Sequence, residues 1–502
     1  MRLTALCWAV VVALPAVVWG QNAFSPGGPD YAVAGALPGD QTFPQAAISP
    51  AGGWLVWQDN AVDGDGVGIR AQALNSSLVK SGAALRVNVQ GAGDQEKPQV
   101  SLLSGGGAVF VWQGGTTGFQ KIYARFLAAN GTFITNSDLL VSTNTSEFQI
   151  NPSVTTLADG SVVVVWAGYG QDGDRQGVFA RRLSSTGVNL GGEFQVNQYT
   201  SNNQRTPAVA ALTNGNFVVA WVSELQRASA SVDIYARIFT ISNSLPAAVG
   251  NEFPVNTSAT NLCANPQVAG SPTGGFAVVW SQNDNVAGAT ASPTETGAPN
   301  IPASPRSSNS WDVFGRVYNA GGTAVSAPVR LNTWTYGDQY APKISAFGKN
   351  FLTVWLSLGQ DSFYNSWEGV FGQFLNSGGG LAGVEFLVNT TTVSRQIDPS
   401  VCADGVNRFL VCWSSFVGDT SFDLFARAYD LIRVDVAVTA QGVTISWNAQ
   451  PGSVYQVQSS PGYSNDSTWS DVGSPRTAVG YAESVVVSAS GGGAFYRVVR
   501  TQ

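Results

Sequence analysis

Two stretches set carboxylates two residues apart inside a glycine loop. "DNAVDGDGVGIRAQAL" (59–74) holds Asp63 and Asp65, and "ADGSVVVVWAGYGQDGDRQGVFARRL" (158–183) holds Asp172 and Asp174. Calcium takes six to eight oxygens, and an Asp-x-Asp turn offers two carboxylates toward that number. The third acid of an EF-type loop is missing, because the fifth position counted from Asp63 is Val67 and from Asp172 is Gln176. Asp-Gly is also preferred turn chemistry between two strands. A calcium pair and a plain turn both stand as readings, and acids paired like Asp63 and Asp65 are in principle an acid and a base for glycoside cleavage.

Composition removes much other chemistry. The 502 residues include no histidine, which excludes Ser-His-Asp and Cys-His catalysis and every histidine-ligated metal site. Only 11% of residues are charged and the formal net charge is −7, so the clustered Lys and Arg that bind nucleic acid are absent. Arg2 followed by "LTALCWAVVVALPAVVWG" reads as a secretory signal peptide over residues 1–20. No later run has about 18 uninterrupted apolar residues, so the mature chain is expected to be secreted or at the cell surface and not membrane-spanning. Cys263, Cys402 and Cys412 remain after processing. Cys402 and Cys412 fall on opposite arms of a hairpin, where a disulfide is one reading and two small buried residues the other.

Those loops must be positioned by strands, and the strands repeat. A proline opens an apolar run at Pro44, Pro98, Pro152, Pro207, Pro266, Pro342 and Pro399, and Trp57, Trp112, Trp166, Trp221, Trp280, Trp355 and Trp413 follow 13 or 14 residues later. Third runs such as "IYARFL" (122–127) and fourth runs such as "FQVN" (194–197) complete four strands per unit. This pattern predicts a seven-bladed β-propeller over 21–431, its blades four-stranded and antiparallel. The seventh copy stops at Tyr429, while Tyr31 precedes Pro44 by the offset that separates Phe194 from Pro207. "YAVA" (31–34) is therefore expected to supply the missing outer strand and close the ring.

Further repeated residues read as architecture. The glutamines Gln41, Gln95, Gln149, Gln204, Gln339 and Gln396 stand three before the proline and are expected to bond backbone at blade junctions. Arg125, Arg181, Arg237, Arg316 and Arg427 share one third-strand position and suit an inter-blade bridge or aromatic stacking. The tryptophans suit packing where blades meet.

The combination of "PSVTTLADGSVVVVW" (152–166), "QDGDRQGVFARRL" (171–183) and "GGEFQVN" (191–197) resembles the repeat of secreted bacterial β-propeller proteins, over roughly residues 30–431. The resemblance implies no single reaction. After Tyr429 the rhythm changes to shorter runs that predict a small β-sandwich over 432–502. There "ISWNAQPGSVYQVQSSPGYSNDSTWSDVG" and the terminal "FYRVVR" resemble the fibronectin-III-like modules of secreted verrucomicrobial-type proteins, which implies an export or attachment role.

In a propeller the loops between second and third strands share a face with the loops between blades. That face would carry Asp361 and Asp419 from the former and Asp40, Asp94 and Asp338 from the latter. The fifth copy adds a Pro/Ser/Thr/Ala-rich insertion over 281–310, with Arg306 its one cation and Trp311 beyond it available to stack on a sugar. No acid, base and nucleophile visibly break the repeat near the axis. The expectation is a non-enzymatic binding or adhesion scaffold for a glycan or extracellular protein. A secreted carbohydrate-active hydrolase or lyase using face carboxylates, or a structural envelope or matrix protein, are the alternatives.

Overall fold

The proline that opens each repeat lacks the N–H a strand ladder needs, and the chain meets that lack the same way each time. Gln41–Ser49 pairs with Gly52–Asp59 so that Thr42 faces Gln58, but the register then jumps to Gln45 opposite Val56, leaving Phe43 and Pro44 together opposite Trp57. The same one-residue bulge sets Lys97-Pro98 against Trp112, Asn151-Pro152 against Trp166 and Thr206-Pro207 against Trp221. Asn265-Pro266, Ala341-Pro342 and Asp398-Pro399 face Trp280, Trp355 and Trp413 likewise. The residue ahead of each proline has φ between 50° and 56°, left-handed backbone that side-chain-bearing residues rarely adopt. The bulge explains why proline and tryptophan recur at a nearly constant spacing.

The structure, a computed structural model, describes residues 24–144, 147–283, 311–361, 367–418, 421–439, 442–449, 454–462, 468–480, 482–488 and 495–500. Among these there is no helix, and hence none long and apolar enough to cross a membrane. The predicted signal peptide, Arg306, Asp419 and positions 284–310 of the insertion lie outside the described residues. Two units form, Asp30–Arg427 and a second that joins Ala428–Gln502 to the residues through Pro29.

The larger unit is built of multiple four-stranded antiparallel sheets of the propeller type. One runs in order Gln41–Ser49, Gly52–Asp59, Gly68–Leu74, Lys80–Arg86, and the next Asp94–Leu102, Ala108–Gly115, Lys121–Leu127, Leu139–Leu140. The last hairpin, Gln396–Ala403 with Arg408–Gly418, pairs on to Ser421–Leu431, and Tyr31–Ala32 adds antiparallel to it with Tyr31 opposite Ala426. Hydrophobic clusters form between successive sheets: Trp112 is buried with Val56, Ile69 and Val87 of the preceding repeat, and Trp166 with Val111, Ile122 and Val141. Burying a tryptophan's 150–250 Å² at about 25 cal/mol per Å² is worth roughly 4–6 kcal/mol before chain entropy is counted.

Polar side chains lock successive sheets together. Arg125, Arg237, Arg316 and Arg427 donate through Nη1 to the carbonyls of Val87, Val196, Val255 and Val388 of the preceding repeat at 2.7–2.9 Å. Arg125 also lies 3.7 Å from the centroid of the Phe133 ring. The glutamine Nε2 groups bond backbone carbonyls of the preceding loop, as in Gln41 to Gly39 at 2.9 Å and Gln204 to Ser201 at 2.9 Å. Acids beside the outer strands accept backbone N–H groups from the previous repeat, Asp138 from Gln90 at 2.9 Å and Asp30 from Thr390 at 2.8 Å.

Cys263, Cys402 and Cys412 are buried and form no disulfide among the described residues. Cys402 faces Leu410 while Ser400 faces Cys412, so the hairpin register sets the two sulfurs apart and the disulfide reading is not met. In the smaller unit, Val434–Thr439, Gly442–Asn448 and Ala482–Val487 form one antiparallel sheet, and Val454–Ser460 centres another with Phe495–Arg500. Ile445, Trp447, Tyr455, Val457 and Val498 fill the core of that unit.

Candidate functional site

The bulges deliver side chains to one place. A cavity takes lining residues from the first strand of every repeat: Phe43, Gln45, Lys97, Gln99, Asn151, Ser153, Thr206, Gln267, Tyr340, Lys343 and Asp398, with prolines between. Lys97 Nζ donates to Asn151 Oδ1 at 2.9 Å, and Asp398 Oδ2 accepts the backbone N–H of Phe43 at 3.3 Å. The bulge amides of Lys97 and Asn151 are held by Gln58 and Gln113, each the residue after a repeat tryptophan, at 2.8 Å. The backbone is thus the same at every repeat, while the side chains differ: Phe, Lys, Asn, Thr, Asn, Ala, Asp. The cavity wall thus departs from the repeat in its side chains while keeping to it in its backbone. The signal was present as variation in one column between an unvarying proline and a nearly unvarying glutamine, and periodic reading passes over such a column.

Beside the cavity stands a charged cluster around Glu368. Glu368 is fully buried and receives Arg395 Nε and Nη2 at 2.9 and 2.8 Å, and the Tyr340 hydroxyl approaches its Oε1 at 3.4 Å. Burial, reinforced by the Glu368 charge, pushes the Tyr340 phenol well above its ordinary value. The Arg395 guanidinium lies 5.6 Å from the centroid of Trp367.

Each acidic loop turns one carboxylate inward. Asp63 Oδ2 accepts Asn88 Nδ2 at 2.9 Å, Asp172 Oδ2 accepts Asn197 Nδ2 at 3.0 Å and Asp361 Oδ2 accepts Asn389 Nδ2 at 3.2 Å. The same asparagines accept the N–H of Ile69, Val178 and Val370 at 2.7–2.8 Å and donate to Gln95, Gln204 and Gln396 of the next repeat. A Cβ added to Gly68, Gly177 or Gly369 would lie within 2.5 Å of these carboxylates, so the glycines leave the space the acids fill. Asp65 and Asp174 accept the backbone N–H of Gly93 and Asn202 at 3.2 and 2.7 Å. One buried oxygen of each pair, Asp63 Oδ1 and Asp172 Oδ1, has no hydrogen-bond donor among the described residues. No group of three or more acidic or thiol side chains is placed to hold a metal among the described residues.

Asp40, Asp94 and Asp338 share a further role, accepting the N–H of Phe422, Val67 and Trp311 at 3.0–3.1 Å and so tying loops across junctions. Burial raises the carboxyls of Asp172, Asp338 and Asp361 above their ordinary value. Trp311 is only 6% exposed and presents no ring face to solvent, which corrects its reading as a sugar-stacking residue. Aromatics exposed on these loops include Phe119, Tyr169, Trp334 at 37%, Tyr336 at 44% and Trp367 at 40%. Trp334 and Tyr336 meet edge to face, their ring centroids 6.3 Å apart.

No protein-family model matches the chain, and no curated protein matches it. Solved structures with a similar chain path include the α-L-arabinofuranosidase Arb93A from Fusarium graminearum with an iminosugar inhibitor, 14% identical, covering 66% of this chain and 92% of that one with a TM-score of 0.44. The α-L-arabinanase of Penicillium chrysogenum complexed with arabinobiose is 13% identical, covering 82% and 98% with a TM-score of 0.42. The polysaccharide lyase Uly1 is 9% identical, covering 78% and 90% with a TM-score of 0.47. No residue role is carried over from these structures.

Proposed function

We propose that this chain is a secreted carbohydrate-active β-propeller that takes a glycan at its central cavity and cleaves it as a hydrolase or lyase. The observation that carries the reading is the cavity's departure from the repeat. Lys97, Asn151, Lys343 and Asp398 bring cations, an amide and a carboxylate into one space where a structural scaffold has no use for variety. Convergent polar groups in a concave site, at the place where local rules lapse, are the general mark of function. Asp398 is the group there able to carry a proton to or from a glycosidic oxygen, and the buried Tyr340–Glu368–Arg395 cluster holds the wall beside it. Assay of the mature chain against a panel of neutral and acidic polysaccharides, with Asp398→Asn as the control, tests this: product release by the parent chain and none by the variant is expected, and no product from any glycan overturns cleavage.

The exposed Trp334, Tyr336 and Trp367 favour a second reading, a binding or adhesion scaffold that holds a glycan on the loop face without cutting it. Glycan-array binding without turnover would select it.

Seven blades closed by the N-terminal strand belong to the same proposal. Asp30 supports closure, since it accepts from Thr390 as Asp138 accepts from Gln90, and Tyr31 follows it as Leu139 follows Asp138. Export through the signal peptide and a fibronectin-III-like attachment module at 432–502 complete the reading.

A further inference from the structure

We infer that the central cavity selects an anionic sugar chain, one bearing carboxylate or sulfate groups. This inference rests on the proposed glycan reading and adds the substrate class. The cavity lining contains two lysines, Lys97 and Lys343, and one carboxylate, Asp398. Its local charge is thus opposite in sign to the chain's formal −7. Asp398 is tethered to the Phe43 amide, and Lys97 is braced by Asn151, whose side-chain oxygen orients the ammonium. Around them stand Gln45, Gln99 and Gln267, amides that can donate to hydroxyls and carboxylates alike. The lysines come from the second and sixth repeats, so a ligand that meets both must enter the cavity itself. A neutral sugar would gain only the amides; an acidic one also gains charge-assisted hydrogen bonds, which are about twice as strong as neutral ones.

The test is calorimetric binding of trigalacturonate, a sulfated galactan trisaccharide and uncharged galactotriose to the full mature chain and to Lys97→Met, Lys343→Met and their Arg counterparts. Retained melting temperature checks that each variant folds. The expected result is binding of either acidic probe, weakening with added salt, roughly tenfold or more loss in each Met variant, and recovery in the Arg variants. Galactotriose binding as tightly as the acidic probes, with the Met variants unchanged, overturns the inference and leaves the glycan reading standing. Binding of no probe, together with no turnover on any polysaccharide, overturns both.

Discussion

Asp63 and Asp233 stand at different positions in their repeats, yet each carboxylate lies 2.9 Å from the side-chain nitrogen of the corresponding fourth-strand asparagine, Asn88 and Asn256. Asp63 reaches that point from the loop, over the space Gly68 leaves empty. Asp233 occupies the strand position that Gly68 holds in the first repeat, one residue before the buried Ile234 whose N–H the asparagine accepts. A carboxylate therefore accompanies the asparagine, and two local sequences supply it; the second repeat, with Lys121 and Ser142 at these places, has neither acid nor amide. The Asp-Gly-Asp loop is one of those two sequences.

The exchange between glycine and acid predicts a coupling. Gly177→Ala places a methyl 2.3 Å from Asp172 Oδ2 and must break the bond to Asn197, at a cost of about 1–3 kcal/mol for the buried groups left unpaired. In Gly177→Asp combined with Asp172→Gly the carboxylate moves to the position Asp233 uses, and stability should largely return. Urea melts of the two single variants and the double variant check this, and a strictly additive double variant would sink it.

Stability should depend on pH through Asp338. Burial raises its carboxyl above the ordinary 3.8, so the acid helps the fold while protonated and that help is lost as pH rises through the folded value. Asp338→Asn keeps an oxygen for the Trp311 amide and carries no charge. The variant should melt at or above the parent at pH 7, and its advantage should shrink as pH falls through the carboxylate range, followed by calorimetry.

Deleting the segment through Ala36 removes Tyr31–Ala32 and Asp30. If these close the ring, the melting temperature falls by several degrees and trypsin cuts first near Ser421–Leu431. An unchanged melting curve would contradict closure.

Melting curves in millimolar calcium and in chelator should overlay. Asp63 and Asp172 each spend one oxygen on an asparagine and Asp65 and Asp174 one on a backbone amide, which leaves two oxygens per loop toward the six to eight that calcium takes. A bound ion would stabilise by about 2.7 kcal/mol at a hundredfold excess over Kd, well within detection.

Trp334→Ala with Trp367→Ala should weaken glycan binding without moving the melting temperature, because both rings are exposed at 37% and 40%. Loss of stability instead would mean the rings pack the loops.

The strands, their order and the proline–tryptophan spacing were legible because each is a repeated packing demand. The arginine bridges were legible for the same reason. What escaped was anything defined by backbone sign or by an empty space. The positive φ at Lys97 and Asp398 leaves no trace in residue type, since Phe43 and Ala341 share it. Trp311 was misread because, beside a 30-residue insertion, periodicity does not locate where its strand begins.

The bulge ahead of each proline has one more consequence. Its conformation is secured by the neighbouring proline, by the tryptophan opposite and, at Lys97 and Asn151, by a glutamine from the repeat before, none of which depends on the side chain it carries. The wall of the cavity is thus a row of interchangeable letters set in a fixed frame. Descendants of this chain can change what they recognise by single substitutions there, without renegotiating the packing of a single sheet.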